Sequence, residues 1–147
     1  MVAVATGGSG LGRGTSGRSS SGSRGWEFVT VLDASAALAF LQGELGSDVV
    51  REHLSGAVMG AANLAEVLSK MGGSIESSLA EAVLAANGVR IEPVTVNDAR
   101  IAAQLHDTSS SLSLGDRLCL ALADRMDEAV LTADRAWGSG DRIVQIR

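Results

Sequence analysis

From Trp26 onward the apolar positions follow two rhythms: short, nearly continuous aliphatic runs, and longer stretches in which apolar residues recur three or four apart. The runs at 28–32, 57–59, 89–94, 129–132 and 143–146 predict strands. The periodic stretches at 33–41, 48–54, 61–71, 75–86, 97–106 and 115–126 predict helices. Gly72-Gly73 and Asn87-Gly88 punctuate the ends of two of them. Pro93 has no N–H to offer a ladder, so its run belongs at a sheet edge or stops there. Residues 108–113 are polar and predict a loop, and Leu118, Leu122 and Met126 form one stripe of the helix that follows. There are no internal repeats. Strands alternating with helices predict an α/β fold: a small parallel sheet covered by helices on both faces, three layers in all.

Residues 1–25 are different in kind. They hold eight glycines and six serines, with little to bury after Val4. Such a segment cannot offset the entropy of ordering itself, so a flexible Gly/Ser-rich tail is expected, of native or vector origin, leaving 26–147 as one domain. The tail contains a decoy. Gly12-Arg13-Gly14-Thr15-Ser16-Gly17 matches G-x-G-x-x-G, and Asp33 follows at about the ~20-residue spacing of a dinucleotide site. That motif works only where a helix opens at the glycines, and residues 15–25 have no helical periodicity, so the dinucleotide reading fails.

Composition narrows the rest. Hydrophobic residues make up 46% of the chain but aromatics only 3%, so the core must be built from Ala, Leu and Val. No apolar run is long enough to span a bilayer, and Met1–Ala5 is too short for a signal peptide, which makes the cytoplasm the expected location. One cysteine, Cys119, excludes an internal disulfide and a thiolate metal cage. The net charge is -5, but three arginines and no acids lie in residues 1–25, so the body carries 9 basic against 17 acidic side chains, a net of -8. So acidic a body does not hold phosphate through bulk electrostatics, and handling nucleic acid would require a cation at the site.

Four acids stand where such a site forms. In open parallel sheets ligands bind beyond the carboxyl ends of the strands. Asp33 follows the first strand directly, Asp134 follows the strand ending at Thr132, Asp116 opens a helix, and Glu66 lies in the helix after the short second strand. Each has an ordinary explanation. Asp33 and Asp134 suit helix N-caps, Ser113-x-x-Asp116 suits a capping box, and Glu66 with Lys70 suits an i,i+4 pair. These explanations leave unexplained why small polar residues recur beside the acids: Ser35, Asn63 and Thr132.

The four segments carry a resemblance. Val31-Leu-Asp33-Ala-Ser35-Ala resembles the opening of PIN domains, and Asn63-Leu-Ala-Glu66-Val67 resembles their second acidic motif. Leu114-Gly-Asp116-Arg117-Leu-Cys119 and Leu131-Thr132-Ala-Asp134-Arg135-Ala-Trp137 resemble the third and fourth. Order and spacing are similar to the VapC-type toxins of type II toxin–antitoxin systems over residues 29–147, with no departure at an acidic position. The resemblance implies a three-layer α/β/α PIN fold and a Mg²⁺- or Mn²⁺-dependent endoribonuclease. It implies a catalytic and metal-binding set of Asp33, Glu66, Asp116 and Asp134, acting on RNA, with tRNA or rRNA as the expected targets. It also implies a homodimer and a VapB-like antitoxin as partners. A housekeeping RNA-processing PIN nuclease, or a PIN-like module that binds without cutting, is the alternative.

Elementary chemistry agrees with the metal. Converging carboxylates raise one another's pKa, and a divalent cation removes that penalty; oxygen donors favour Mg²⁺ or Mn²⁺ over Zn²⁺. Asp33 and Asp116 are then the principal ligands, Asp134 binds directly or through water, and Glu66 is a ligand or the base that orients water. Ser35, Asn63 and Thr132 would support the ligands. Arg117 and Arg135 would either grip RNA phosphate or be solvated charges. His53 and His106 have no second ligand at metal spacing, and Cys119 and Trp137 read as core. Other enzymes with an Asp after a first parallel strand fail on residues. A haloacid-dehalogenase pattern needs an acid where Ser35 stands, and a receiver domain needs a downstream lysine that Lys70, the only one, does not supply.

Overall fold

The computed structural model describes residues 29–108 and 111–147. The predicted tail and its glycine motif lie outside the described residues. Within them the chain runs β1 (Thr30–Leu32), α1 (Ala34–Gln42), α2 (Ser47–His53), β2 (Val58–Gly60), α3 (Ala61–Met71) and α4 (Ser74–Ala86). It continues with β3 (Arg90–Glu92), α5 (Val96–Thr108), α6 (Leu114–Met126), β4 (Ala129–Thr132), a 3-10 turn (Arg135–Trp137) and β5 (Ile143–Gln145).

The five strands form one sheet in the order β3-β2-β1-β4-β5, and every pairing is parallel. Val31 lies between Val58 and Val130, which sets the register of the central strands. The chain starts in the middle, steps outward twice in one direction, then crosses to the other side. Right-handed crossovers therefore put α1–α4 and α5–α6 on opposite faces. The strands are apolar at successive positions because both faces are covered. Leu32, Met59 and Leu131 enter a layer with Ala36, Ala37, Ala39, Val67 and Leu84, while Val31, Val58 and Val130 meet Cys119, Leu122, Ala123 and Trp137 on the other side. The result is the expected α/β/α sandwich. No helix among the described residues is long and apolar enough to cross a membrane.

Element boundaries differ from the sequence reading where local chemistry decides. β3 is an edge strand, and it ends immediately before Pro93 rather than running to 94. Helix α5 starts at Val96 because Thr95 and Asp98 cap it reciprocally: Thr95 N–H donates to Asp98 Oδ2 at 3.0 Å and Asp98 N–H to Thr95 Oγ1 at 3.0 Å. On α6 it is Cys119, Leu122 and Ala123 that reach the sheet, with Met126 partly buried beside them; Leu118 of the predicted stripe is half-buried outside that cluster. The last strand is followed by Ile146, which packs against the α1–α2 connection at Gly46. There φ is +95°, and a Cβ would lie 2.8 Å from the Ile146 carbonyl oxygen, so only glycine fits.

Candidate functional site

The carboxyl edge of the sheet is where β1, β2 and β4 deliver the acids. Asp33 is 2% exposed and caps α1, with Ser35 N–H donating to its Oδ2 at 3.4 Å. A plain cap needs no burial and no further partners, but this carboxylate has both. Ser35 Oγ donates to the same oxygen at 2.5 Å and Thr132 Oγ1 at 2.8 Å. The acceptor sides of the two hydroxyls are also used: Ala133 N–H donates to Ser35 Oγ at 2.9 Å and Asp134 N–H to Thr132 Oγ1 at 3.0 Å. Both protons are thereby aimed at Asp33 Oδ2, and the segments after β1 and β4 are stitched together. Burial pushes the Asp33 carboxyl above its ordinary range and the charge of Asp116 adds to this; the Ser35 and Thr132 hydroxyls and the Ala34 N–H oppose it.

Glu66 and Asp116 gather at the same place. Beneath them lies Cys119, fully buried, its Sγ 3.9 Å from the Leu32 carbonyl oxygen. Burial pushes this thiol well above its ordinary range, and Asp33, Asp116 and Glu66 all push it further through their charge. Three acids from three elements therefore act electrostatically on one core position. Asp116 also closes the capping box of α6, its Oδ2 accepting Ser113 N–H at 3.0 Å while Ser113 Oγ accepts Asp116 N–H at 3.1 Å. Glu66 Oε2 pairs with Lys70 Nζ at 3.4 Å. Asp134 is joined through its main chain to Thr132 and caps the 3-10 turn, Oδ1 accepting Ala136 N–H at 2.9 Å. The ordinary roles and the shared location thus coexist. Among the described residues no three His, Cys, Asp or Glu side chains are drawn closely enough to hold a metal ion together. Asp116, Glu66 and Asp134 each have one carboxylate oxygen engaged locally.

The flanking residues divide. Asn63 is 1% exposed and donates from Nδ2 to the Gly115 carbonyl at 3.3 Å, tying α3 to the start of α6. Its Oδ1 is buried without a hydrogen-bond partner among the described residues. Arg117 is half-buried, and Nη1 donates to the Ala102 carbonyl at 2.7 Å and Nε to the Leu112 carbonyl at 3.4 Å, holding α6 to α5. Arg135 is exposed beside Asp134 and has no ion pair among the described residues. Trp137 is 7% exposed and packs in the core, His53 bonds the Val49 carbonyl oxygen at 2.9 Å, and His106 is exposed. The sequence reading passed over Gln145, whose Nε2 holds the Asp134 carbonyl at 3.0 Å and the Gly138 carbonyl at 2.8 Å. A polar residue inside a last apolar strand was its only signal.

The sequence model of the PIN domain matches residues 30–142, which includes all four acids. No curated protein sequence matches the chain. Solved structures do. A toxin–antitoxin complex from Klebsiella pneumoniae has a TM-score of 0.69 at 14% identity, covering 80% of this chain and 98% of that one. The VapC20 toxin of Mycobacterium tuberculosis, described as cleaving the sarcin–ricin loop, has a TM-score of 0.60 at 16% identity over 76% of this chain and 97% of that one. DNA-bound VapBC from Salmonella typhimurium reaches 0.62 at 13% identity, over 82% and 99%. At such identities these likenesses speak for the fold alone. On the extent of the sequence match, the chain belongs to the PIN domain family.

Proposed function

We propose that this protein is a metal-dependent endoribonuclease of the VapC toxin type, hydrolysing phosphodiester bonds in tRNA or rRNA and held in check by a VapB-like antitoxin. The observation that carries the reading is Asp33: a buried carboxylate at the carboxyl edge of a parallel sheet, oriented by two hydroxyls and crowded by Asp116. A fold with no catalytic use for this position would gain by an uncharged residue there. The named neighbours, toxins and toxin–antitoxin complexes of the same fold, support the same direction by analogy.

The donor set fits a hard divalent cation: four carboxylates, no thiolate or imidazole, and a buried charge whose cost a cation would relieve. Asp33 and Asp116 would hold Mg²⁺ or Mn²⁺, with Asp134 direct or through water and Glu66 as ligand or water-orienting base. Bound there, the ion would acidify a water and stabilise charge on the phosphoryl group. Ser35 and Thr132 keep one oxygen of Asp33 occupied and its plane fixed. Asn63 sets the approach of α3 to α6, and Arg135, exposed beside Asp134, supplies a cation for a phosphate oxygen. A homodimer completes the proposal as an expectation of the VapC type.

A second reading has one observation in its favour: the acids are engaged locally rather than drawn onto a common point, as in a PIN module that binds without cutting. Cleavage of total cellular RNA with Mn²⁺, with EDTA, and by Asp116→Asn separates the two. Discrete fragments that need metal and fall by about 100-fold or more in Asp116→Asn support the nuclease. A folded, antitoxin-free protein that cuts nothing with any divalent metal turns the assignment to the binding module.

A further inference from the structure

We propose that Gly115 is a positioning residue, left without a side chain so that the Glu66 carboxylate can lie against the first turn of α6, the turn that carries Asp116. Gly115 occupies the second position of α6, and its φ is not in the left-handed region, so the backbone does not require glycine. Alanine is the better helix former, so glycine here weakens the helix. What its absence of a side chain provides is space. A Cβ at 115 would lie 3.2 Å from Glu66 Oε1, 3.8 Å from Ser113 Oγ and 4.0 Å from Asn63 Nδ2.

Two polar residues of α3, three apart and so on one face, close on this single turn. The buried Asn63 amide takes the Gly115 carbonyl at 3.3 Å, and the Glu66 carboxylate rests on its Cα side while Lys70 draws the other oxygen at 3.4 Å. A methyl group at 115 moves the free end of a flexible side chain by a few tenths of an ångström, which costs the fold little. A metal donor set is less forgiving, since its distances are fixed to within ~0.2 Å. The inference rests on the metal-dependent reading above.

The test uses the full chain, Mn²⁺ as the probe, and four proteins: wild type, Gly115→Ala, Glu66→Gln and the double variant. Melting temperatures in EDTA report the fold, and calorimetric titration reports Mn²⁺ affinity. The proposal expects Gly115→Ala to melt no lower than wild type in EDTA yet bind Mn²⁺ about 10-fold more weakly, with no further loss when added to Glu66→Gln. Unchanged affinity in Gly115→Ala, or the same loss repeated in the Glu66→Gln background, overturns it. Wild type that binds no Mn²⁺ overturns the metal reading itself, and the inference with it.

Discussion

Asp33 illustrates how one residue can be a helix cap and still be at odds with the fold. Its carboxyl is raised by burial in the folded chain, so the folded state binds the proton more tightly than the unfolded state, whose ordinary value is 3.8. Ionised Asp33 therefore costs stability. The cost is absent below 3.8 and complete once pH exceeds the raised folded value. Asp33→Asn keeps a cap acceptor and removes the charge. It should raise the melting temperature in EDTA at pH 7 by a few degrees, roughly the effect of 1 kcal/mol in a domain of this size. The gain should shrink toward pH 4, and the variant should lose both Mn²⁺ stabilisation and cleavage. Melts of wild type and variant at the two pH values decide it; a lower melting temperature for the variant at pH 7 would mean that the hydroxyls, not burial, dominate at this carboxylate.

Between elements, the same chemistry works with the opposite sign. Asp98 is also buried, which alone would raise its pKa, but Arg125 donates to both its oxygens at 3.1 and 3.0 Å and Thr95 caps it, so the carboxyl is held below its ordinary range. The pair ties α5 to α6, and Arg125 also reaches Glu92 and the Pro93 carbonyl at the end of β3. Arg125→Ala should cost about 2 kcal/mol, discounted from the ~3–5 of a fully buried pair because the arginine is part exposed. Asp98 contributes its stability above 3.8 and loses it as pH falls through the lowered folded value, so the gap between wild type and variant should close in acid. Urea titrations at pH 7 and pH 3 test this, and a gap that stays constant would assign the loss to packing. This network also marks how far elements are legible in sequence. Strand and helix identity followed from periodicity, as did the break at Pro93. The places of Asp33 and Asp134 were legible too, because chain order alone puts residues after parallel strands at one edge. Thr95-x-x-Asp98 was written in the sequence as plainly as Ser113-x-x-Asp116 but stood before a weaker apolar pattern. The destination of Arg117 was not legible, because a guanidinium that ends on the Ala102 carbonyl depends on how α5 lies across α6.

Taken as a whole, the molecule is an acidic body proposed to handle a polyanion, and its ion pairs sharpen that difficulty. Lys70, Arg90, Arg125, Arg142 and Arg147 are each paired with an acid, and Arg117 gives two of its donors to backbone carbonyls. Arg51, Arg100 and Arg135 have no ion pair among the described residues, and of these Arg135 adjoins one of the four acids in sequence. RNA binding should then depend on few phosphate contacts. For single strands each neutralised phosphate contributes about 0.7 to the slope of log affinity against log salt, so one or two contacts give a slope of roughly -1. The KM for a cleavable RNA oligonucleotide, followed against KCl at fixed saturating Mn²⁺, should rise with about that slope. Arg135→Ala should raise KM several-fold at low salt, leave kcat nearly unchanged, and flatten the dependence by about 0.7, because it removes a contact made equally in ground and transition states. A slope steeper than about -4 would instead require a broad basic surface. Such a slope would place further RNA contacts on Arg51 and Arg100, on the arginines of residues 1–25 or on a partner chain.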